Sequence, residues 1–178
     1  MRIAVIGHSG SGKSTLARTL GERLSLPVLH LDALHFLPGW VERPREEERR
    51  LVGEFLDAND GWVIDGTYSK LHFERRLDSA DLILLLDFNR FACYFRAWRR
   101  FRRYKGRTRL DMAEGCTEKF DLAFQKWILW EGRSRKARDR FRKIRRDYAG
   151  KCTVLRNQRE IHAFLAKFEM PISSSRSE

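Results

Sequence analysis

The chain has 178 residues and a mass of 21.1 kDa, with 42% hydrophobic residues, enough to bury one core without disulfide or metal staples. Its longest obvious apolar run, Leu82 to Leu86, is far shorter than the roughly 20 residues of a bilayer span, so no membrane partner is expected. The formal charge of +12 is concentrated: residues 90–147 hold 20 Lys+Arg against 7 Asp+Glu, and the remainder holds 16 against 17. Arginine dominates that excess, and its planar fork matches phosphate oxygens, which points to an anionic, phosphorylated partner.

In chain order, Arg2 to Ile6 is a short β-branched run leaving into glycine, and Ser14 to Leu24 carries Leu16, Leu20 and Leu24 at helical spacing. Further strand-like runs follow at Val28 to Leu31, Trp62 to Ile64, Leu82 to Leu86 and Cys152 to Leu155. Short, continuous apolar runs alternating with helices predict an α/β fold of three layers, with a five-stranded parallel sheet covered on both faces. Between the second and third runs, Pro38, Gly39 and Pro44 interrupt an irregular stretch around Phe36 and Trp40, and a charged helix is predicted from about Arg45 to Ala58. From Arg90, the residues Phe91, Phe95, Trp98 and Phe101 form an apolar stripe, opposite Arg96, Arg99, Arg100 and Arg103; this predicts one helix face in the core and one made of arginine. Residues 105–119 lack periodicity, and a long basic helix is predicted from about Asp121 to Tyr148, with Trp127 and Trp130 in its core face. We expect a single domain over 1–170, a disordered tail over 171–178 and, because Met1 runs straight into the first strand with no leader pattern, a cytoplasmic location. Cys93, Cys116 and Cys152 are odd in number, widely spaced and without a CxxC pair, which argues against a disulfide framework or a zinc site.

The segment Gly7-His8-Ser9-Gly10-Ser11-Gly12-Lys13-Ser14 fits GxxxxGK[ST] at every fixed position, between a predicted strand and a predicted helix. The glycines let backbone N–H groups converge on phosphates, and the helix adds its positive dipole end. Lys13 is placed to reach the β- and γ-phosphates, and the Ser14 hydroxyl to ligate Mg2+. Gly7, Ser9, Gly10, Ser11, Gly12 and Thr15 complete the cradle, with Ser11 and Thr15 assigned to capping and local hydrogen bonds. ATP with Mg2+ is therefore the expected ligand. A carboxylate at a neighbouring strand end assists the metal in such sites; Asp65 is the first choice, while Asp32 and Asp87 also close predicted strands.

These residues resemble the P-loop kinases of the adenylate kinase and nucleoside monophosphate kinase type, and Asp65-Gly66 looks like the DG of their DGxPR motif. The chain continues Thr67-Tyr68-Ser69-Lys70, so the proline and arginine of that motif are absent. More closely, the strings LHLDALHFLPGWVER, IDGTYSK, LDFNR, DMAEGC and KWILW resemble the bacterial DNA topology modulation protein family, an adenylate-kinase-related family. That resemblance implies a five-stranded parallel sheet with a helical, arginine-rich lid over about 99–135, an acceptor-binding region over about 33–58, and an effect on DNA topology. Asp32 and His35 in LDALH resemble the DxLH of gluconate kinases, and an aspartate at this place serves acceptor binding in shikimate kinases. The lid reading brings Arg96, Arg99, Arg100, Arg103, Arg107 and Arg109 over the phosphates, with Arg99 and Arg103 as catalytic candidates. Arg75 and Arg76 lie where monophosphate kinases place an acceptor-phosphate arginine, with surface salt bridging as the alternative. Asn157, in Arg156-Asn157-Gln158, resembles the loop that approaches the adenine ring. Two functions follow: a kinase moving the γ-phosphoryl of Mg-ATP to a small acceptor or nucleotide, or a nucleotide-binding regulator holding nucleic acid through the basic 90–147 segment.

Overall fold

The computed structural model of the chain describes residues 1–109 and 111–168, so the tail expected over 171–178 lies outside the described residues. Five strands, β1 (Arg2–Gly7), β2 (Val28–His30), β5 (Trp62–Asp65), β6 (Leu82–Leu86) and β7 (Cys152–Leu155), form one parallel sheet in the order β2-β5-β1-β6-β7. A two-stranded antiparallel ribbon, β3 (Phe36–Leu37) with β4 (Val41–Glu42), stands apart from it. The helices are α1 (Lys13–Leu24), α2 (Leu31–His35), α3 (Arg45–Ala58), α4 (Phe73–Ser79), α5 (Arg90–Tyr104), α6 (Leu122–Leu129), α7 (Arg135–Asp147) and α8 (Gln158–Ala166). Because strand side chains alternate between faces, β1 sends Val5 to one core with Leu16, Leu20, Ala97 and Ile161, and Ile6 to the other with Val52, Leu77, Phe141 and Ile144. Helices α1, α5 and α8 thus cover one face and α3, α4 and α7 the other, giving three layers. With β1 central, its carboxyl end opens into the crevice where open α/β sheets place their ligands.

Two predicted elements come out differently. The apolar stripe of α5 faces solvent, with Phe91, Phe95 and Trp98 at 61%, 59% and 39% exposure, while Cys93 and Ala97 are buried. The cause is the glycine loop: a Cβ on Gly10 would stand 2.5 Å from the Cys93 carbonyl oxygen, so only a small-residue face of α5 fits there. The long basic helix over 121–148 is two helices, separated by a 3-10 turn at Glu131–Arg133. Ser134 caps α7 by accepting from the Ala137 N–H, and Trp130 leaves helical geometry at φ −133°. Of α6 only Ile128 is fully buried, and Trp127 and Trp130 are exposed rather than core. Among the described residues no helix is long and apolar enough to cross a membrane.

Candidate active site

The turn after β1 carries Gly10 at φ 78° and Gly12 at φ 93°, left-handed values that side chains other than glycine adopt only under strain. Those turns close the loop on itself. Ser11, fully buried, donates its hydroxyl to the His8 carbonyl at 2.7 Å, and the Lys13 Nζ donates to the same oxygen at 2.9 Å. Burial pulls the Lys13 pKa down, against the raising influence of Asp32 and Asp65.

At the start of α1 the Ser14 hydroxyl donates to Asp65 Oδ2 at 2.8 Å, and Asp65 is 3% exposed at the end of β5. Its other oxygen accepts from His30 Nδ1, at the end of β2. Burial alone would lower the His30 pKa, but that hydrogen bond and the Asp65 charge outweigh it and the pKa is raised. A hydroxyl and a carboxylate 2.8 Å apart suit adjacent corners of an octahedral Mg2+ sphere, whose neighbouring ligands lie about 2.9 Å apart when each is about 2.0–2.1 Å from the ion. The donor set is oxygen, as Mg2+ requires. Among the described residues no cluster of three or more His, Cys, Asp or Glu could hold a metal unaided, so phosphate oxygens and water would supply the other positions.

One cavity of about 1330 Å³ runs from this loop to the elements after β2 and β5. On its far wall Asp32 accepts from the Tyr68 hydroxyl at 2.7 Å; burial and the Asp32 charge push the Tyr68 pKa up, which keeps it a donor. Asp32 lies in the first turn of α2 rather than at the strand end itself. His35 is hydrogen-bonded through Nδ1 to Glu48, a carboxylate 4% exposed on α3, and its ring stands 5.0 Å from that of Tyr68. Over the opening, α5 presents Arg96, Arg99, Arg100 and Arg103. Arg96 crosses Gly12, where a Cβ would meet its Nη2 at 2.3 Å, and donates to Gln158 at 2.7 Å. Arg100 and Arg109 are both held by the buried Glu118, at 2.6 and 2.7 Å. Arg99 and Arg103 have no ion pair among the described residues and are exposed. Trp127 donates its indole N–H to Ser9 at 3.2 Å, and Thr15 lines the same cavity.

Four expected residues are placed elsewhere. Arg75 forms a surface ion pair with Asp57, because its turn of α4 faces α3 and solvent. Arg76 is fully buried and donates to the carbonyls of Leu71 (2.9 Å), Gly66 (3.1 Å) and Tyr68 (2.8 Å); it shapes the loop after β5 and does not line the cavity. Asn157 caps α8, accepting from the Glu160 N–H and donating to the Glu160 carboxylate at 2.7 Å, and it does not line the cavity. Asp87 is drawn to His8 and Arg145, on the opposite side of the loop from Asp65. Sequence reasoning missed Glu48, Glu118, His30 and Tyr68, whose partners are distant in the chain; two arginines converging on Glu118 left no local pattern to read.

Loop and sheet together define a three-layer α/β fold of the P-loop type. No protein-family model matches the chain, and no curated protein matches it. Among solved structures it is similar to a shikimate kinase from Bacteroides thetaiotaomicron, at 17% identity and TM-score 0.49 over 94% of this chain and 95% of that one. It is also similar to a gluconokinase from Sinorhizobium meliloti 1021, at 18% identity and TM-score 0.48 over 93% and 91%.

Proposed function

We propose that the chain is an ATP-dependent phosphotransferase that moves the γ-phosphoryl of Mg-ATP to a hydroxyl or phosphate of a small acceptor. The observation that carries this is the cavity in which Lys13 and Ser14, the latter held from behind by the buried Asp65, share a lining with Asp32, Tyr68, the His35–Glu48 pair and several arginines of α5. Magnesium, held by Ser14 and Asp65, would supply charge neutralisation at the β- and γ-phosphates. Lys13 binds the same oxygens, and the loop N–H groups orient them. Asp32, fixed on one oxygen by Tyr68, keeps the other for an acceptor hydroxyl, which it orients and from which it takes a proton. Arg99 and Arg103, exposed and without an ion pair among the described residues, are cations free to meet charge developing in flight, whereas Arg100 and Arg109 share the buried Glu118 and Arg109 also pairs with Asp111. Residues 33–58 form the acceptor wall, and 99–135 act as a lid that excludes water, within a single domain over 1–170. The alternative, a regulator holding DNA or RNA, rests on the same arginine surplus; the number of those arginines turned into the cavity favours transfer chemistry.

The test is transfer of label from γ-labelled ATP, with magnesium, to a panel of nucleoside monophosphates, nucleosides, sugar acids and oligonucleotide ends. Transfer to one class, lost in Lys13→Ala and Asp65→Asn, is expected. Tight ATP binding without transfer to any of them would overturn the proposal.

A further inference from the structure

On the other side of the glycine loop lies a second cavity, of about 210 Å³, that the proposed transfer chemistry does not use. Three of its walls are arginine. On α7, Arg138, Arg142 and Arg145 recur at i, i+4 and i+7 and so share one face. Arg90 enters from the first turn of α5, and Arg133 from the turn before α7, anchored by donation to the Phe88 carbonyl at 2.8 Å and to Cys93 Sγ at 3.2 Å. The floor is His8 against Phe141, ring centroids 4.8 Å apart.

Among the described residues one carboxylate, Asp87, lines this space, at 3.5 Å from His8 and 3.7 Å from Arg145. Asp139, outside the cavity, reaches Arg142 at 3.2 Å. Among the described residues Arg90 and Arg138 have no ion pair. Five guanidinium groups therefore surround a small space with too few acids to balance them, an arrangement whose mutual repulsion an anion would relieve. Arginine forks bind phosphate oxygens in bidentate fashion, and the excess of cations selects a multivalent anion. The volume is below the roughly 300–1,000 Å³ of sites for drug-sized ligands, which excludes a whole nucleotide and leaves a phosphate group or short phosphate chain.

We propose that this cavity, which shares only His8 and Phe141 with the lining of the P-loop cavity, is a second anion site that takes a small multivalent phosphate. It adjoins the loop through His8, whose carbonyl receives Lys13 and Ser11 and whose ring forms the floor. The proposal does not depend on the kinase reading.

Inorganic triphosphate, titrated calorimetrically into the full chain, tests it. Two classes of site are expected in the wild type. Lys13→Ala should remove the P-loop class, and Arg138→Gln with Arg142→Gln the other; both arginines are exposed, so folding is spared, and each loss should weaken binding by about tenfold or more. If only the arginine-sensitive class exists, the pocket stands and the kinase reading fails. Loss of all binding in Lys13→Ala, or wild-type binding in the double variant, would overturn the pocket. So would displacement of triphosphate by duplex DNA with equal sensitivity to Arg135→Gln, since Arg135 is 91% exposed and outside the cavity; that result would assign the face to nucleic acid.

Discussion

Replacing Arg76 with methionine separates a structural role from a substrate-binding one. The side chain is fully buried and satisfies three carbonyls of the loop after β5, with its guanidinium 5.4 Å from the Phe73 ring centroid. The Tyr68 carbonyl keeps the Leu71 N–H at 3.3 Å, so two carbonyls are left without a partner, at roughly 1–3 kcal/mol each. Against that stands relief: burial pulls the Arg76 pKa down to about 10 despite Asp65, which corresponds to about 3 kcal/mol spent keeping the charge inside. The difference leaves a loss of ~1 kcal/mol for Arg76→Met, or about 2–4 °C in Tm for a chain of this size. Urea unfolding followed by circular dichroism measures it, with Arg76→Lys expected to recover part of the loss by retaining one donor. A variant as stable as the wild type, with only its acceptor KM raised, would refute the reasoning and return Arg76 to the acceptor site.

Phe95→Ser should change stability by no more than about 0.5 kcal/mol, because its ring is 59% exposed; a core position would lose about 3–5 kcal/mol, and the urea midpoint decides between them. Gly10→Ala should destabilise by at least ~1–2 kcal/mol for the left-handed backbone alone, with more from a Cβ 2.5 Å from the Cys93 carbonyl, and nucleotide affinity measured by calorimetry should fall with it. The Asp87 pKa is lowered, first by its hydrogen bond with His8, against burial, and then by the His8 and Arg145 charges. A depressed carboxylate stabilises the fold above its ordinary value of 3.8 and loses that contribution as pH falls through the lowered one, so Asp87→Asn should be less stable than wild type at neutral pH and converge with it in acid unfolding. Trp127→Phe should remove most of any fluorescence change caused by ATP, because its indole sits on Ser9 of the loop; an unchanged signal would place the reporter among the other tryptophans.

All five strands and the glycine loop were legible because their signals are local: short apolar runs, a complete phosphate-binding motif, and an aspartate closing Trp62–Asp65. The orientation of α5 was not. Counting apolar residues favoured Phe91, Phe95 and Trp98 as the core face, yet it is Cys93, whose carbonyl lies against Gly10, and Ala97, four residues on in the core, that turn inward. The break at residues 130–134 carried its own signal in Gly132 and the capping Ser134, which the continuous basic charge of the segment obscured. Asp57 for Arg75 and the carbonyls for Arg76 are partners far away in the chain or without side-chain identity, so no spacing rule exposes them.

The division of labour among Asp32, Asp65 and Asp87 follows from what each already touches. Asp65 has both oxygens engaged, by Ser14 and by His30, and is 3% exposed; under the proposed transfer it would serve as a metal ligand rather than as a base. Asp87 is turned to the opposite side of the loop by His8 and Arg145, where it tempers a cluster of arginines. Only Asp32 combines a single fixing hydrogen bond, from Tyr68, with a position on the open wall of the large cavity. A base must be held but not exhausted by its partners, so under the proposed transfer Asp32 is the one of the three placed to meet an acceptor, and substitution of His35, Glu48 or Tyr68 beside it is expected to change which acceptor is taken.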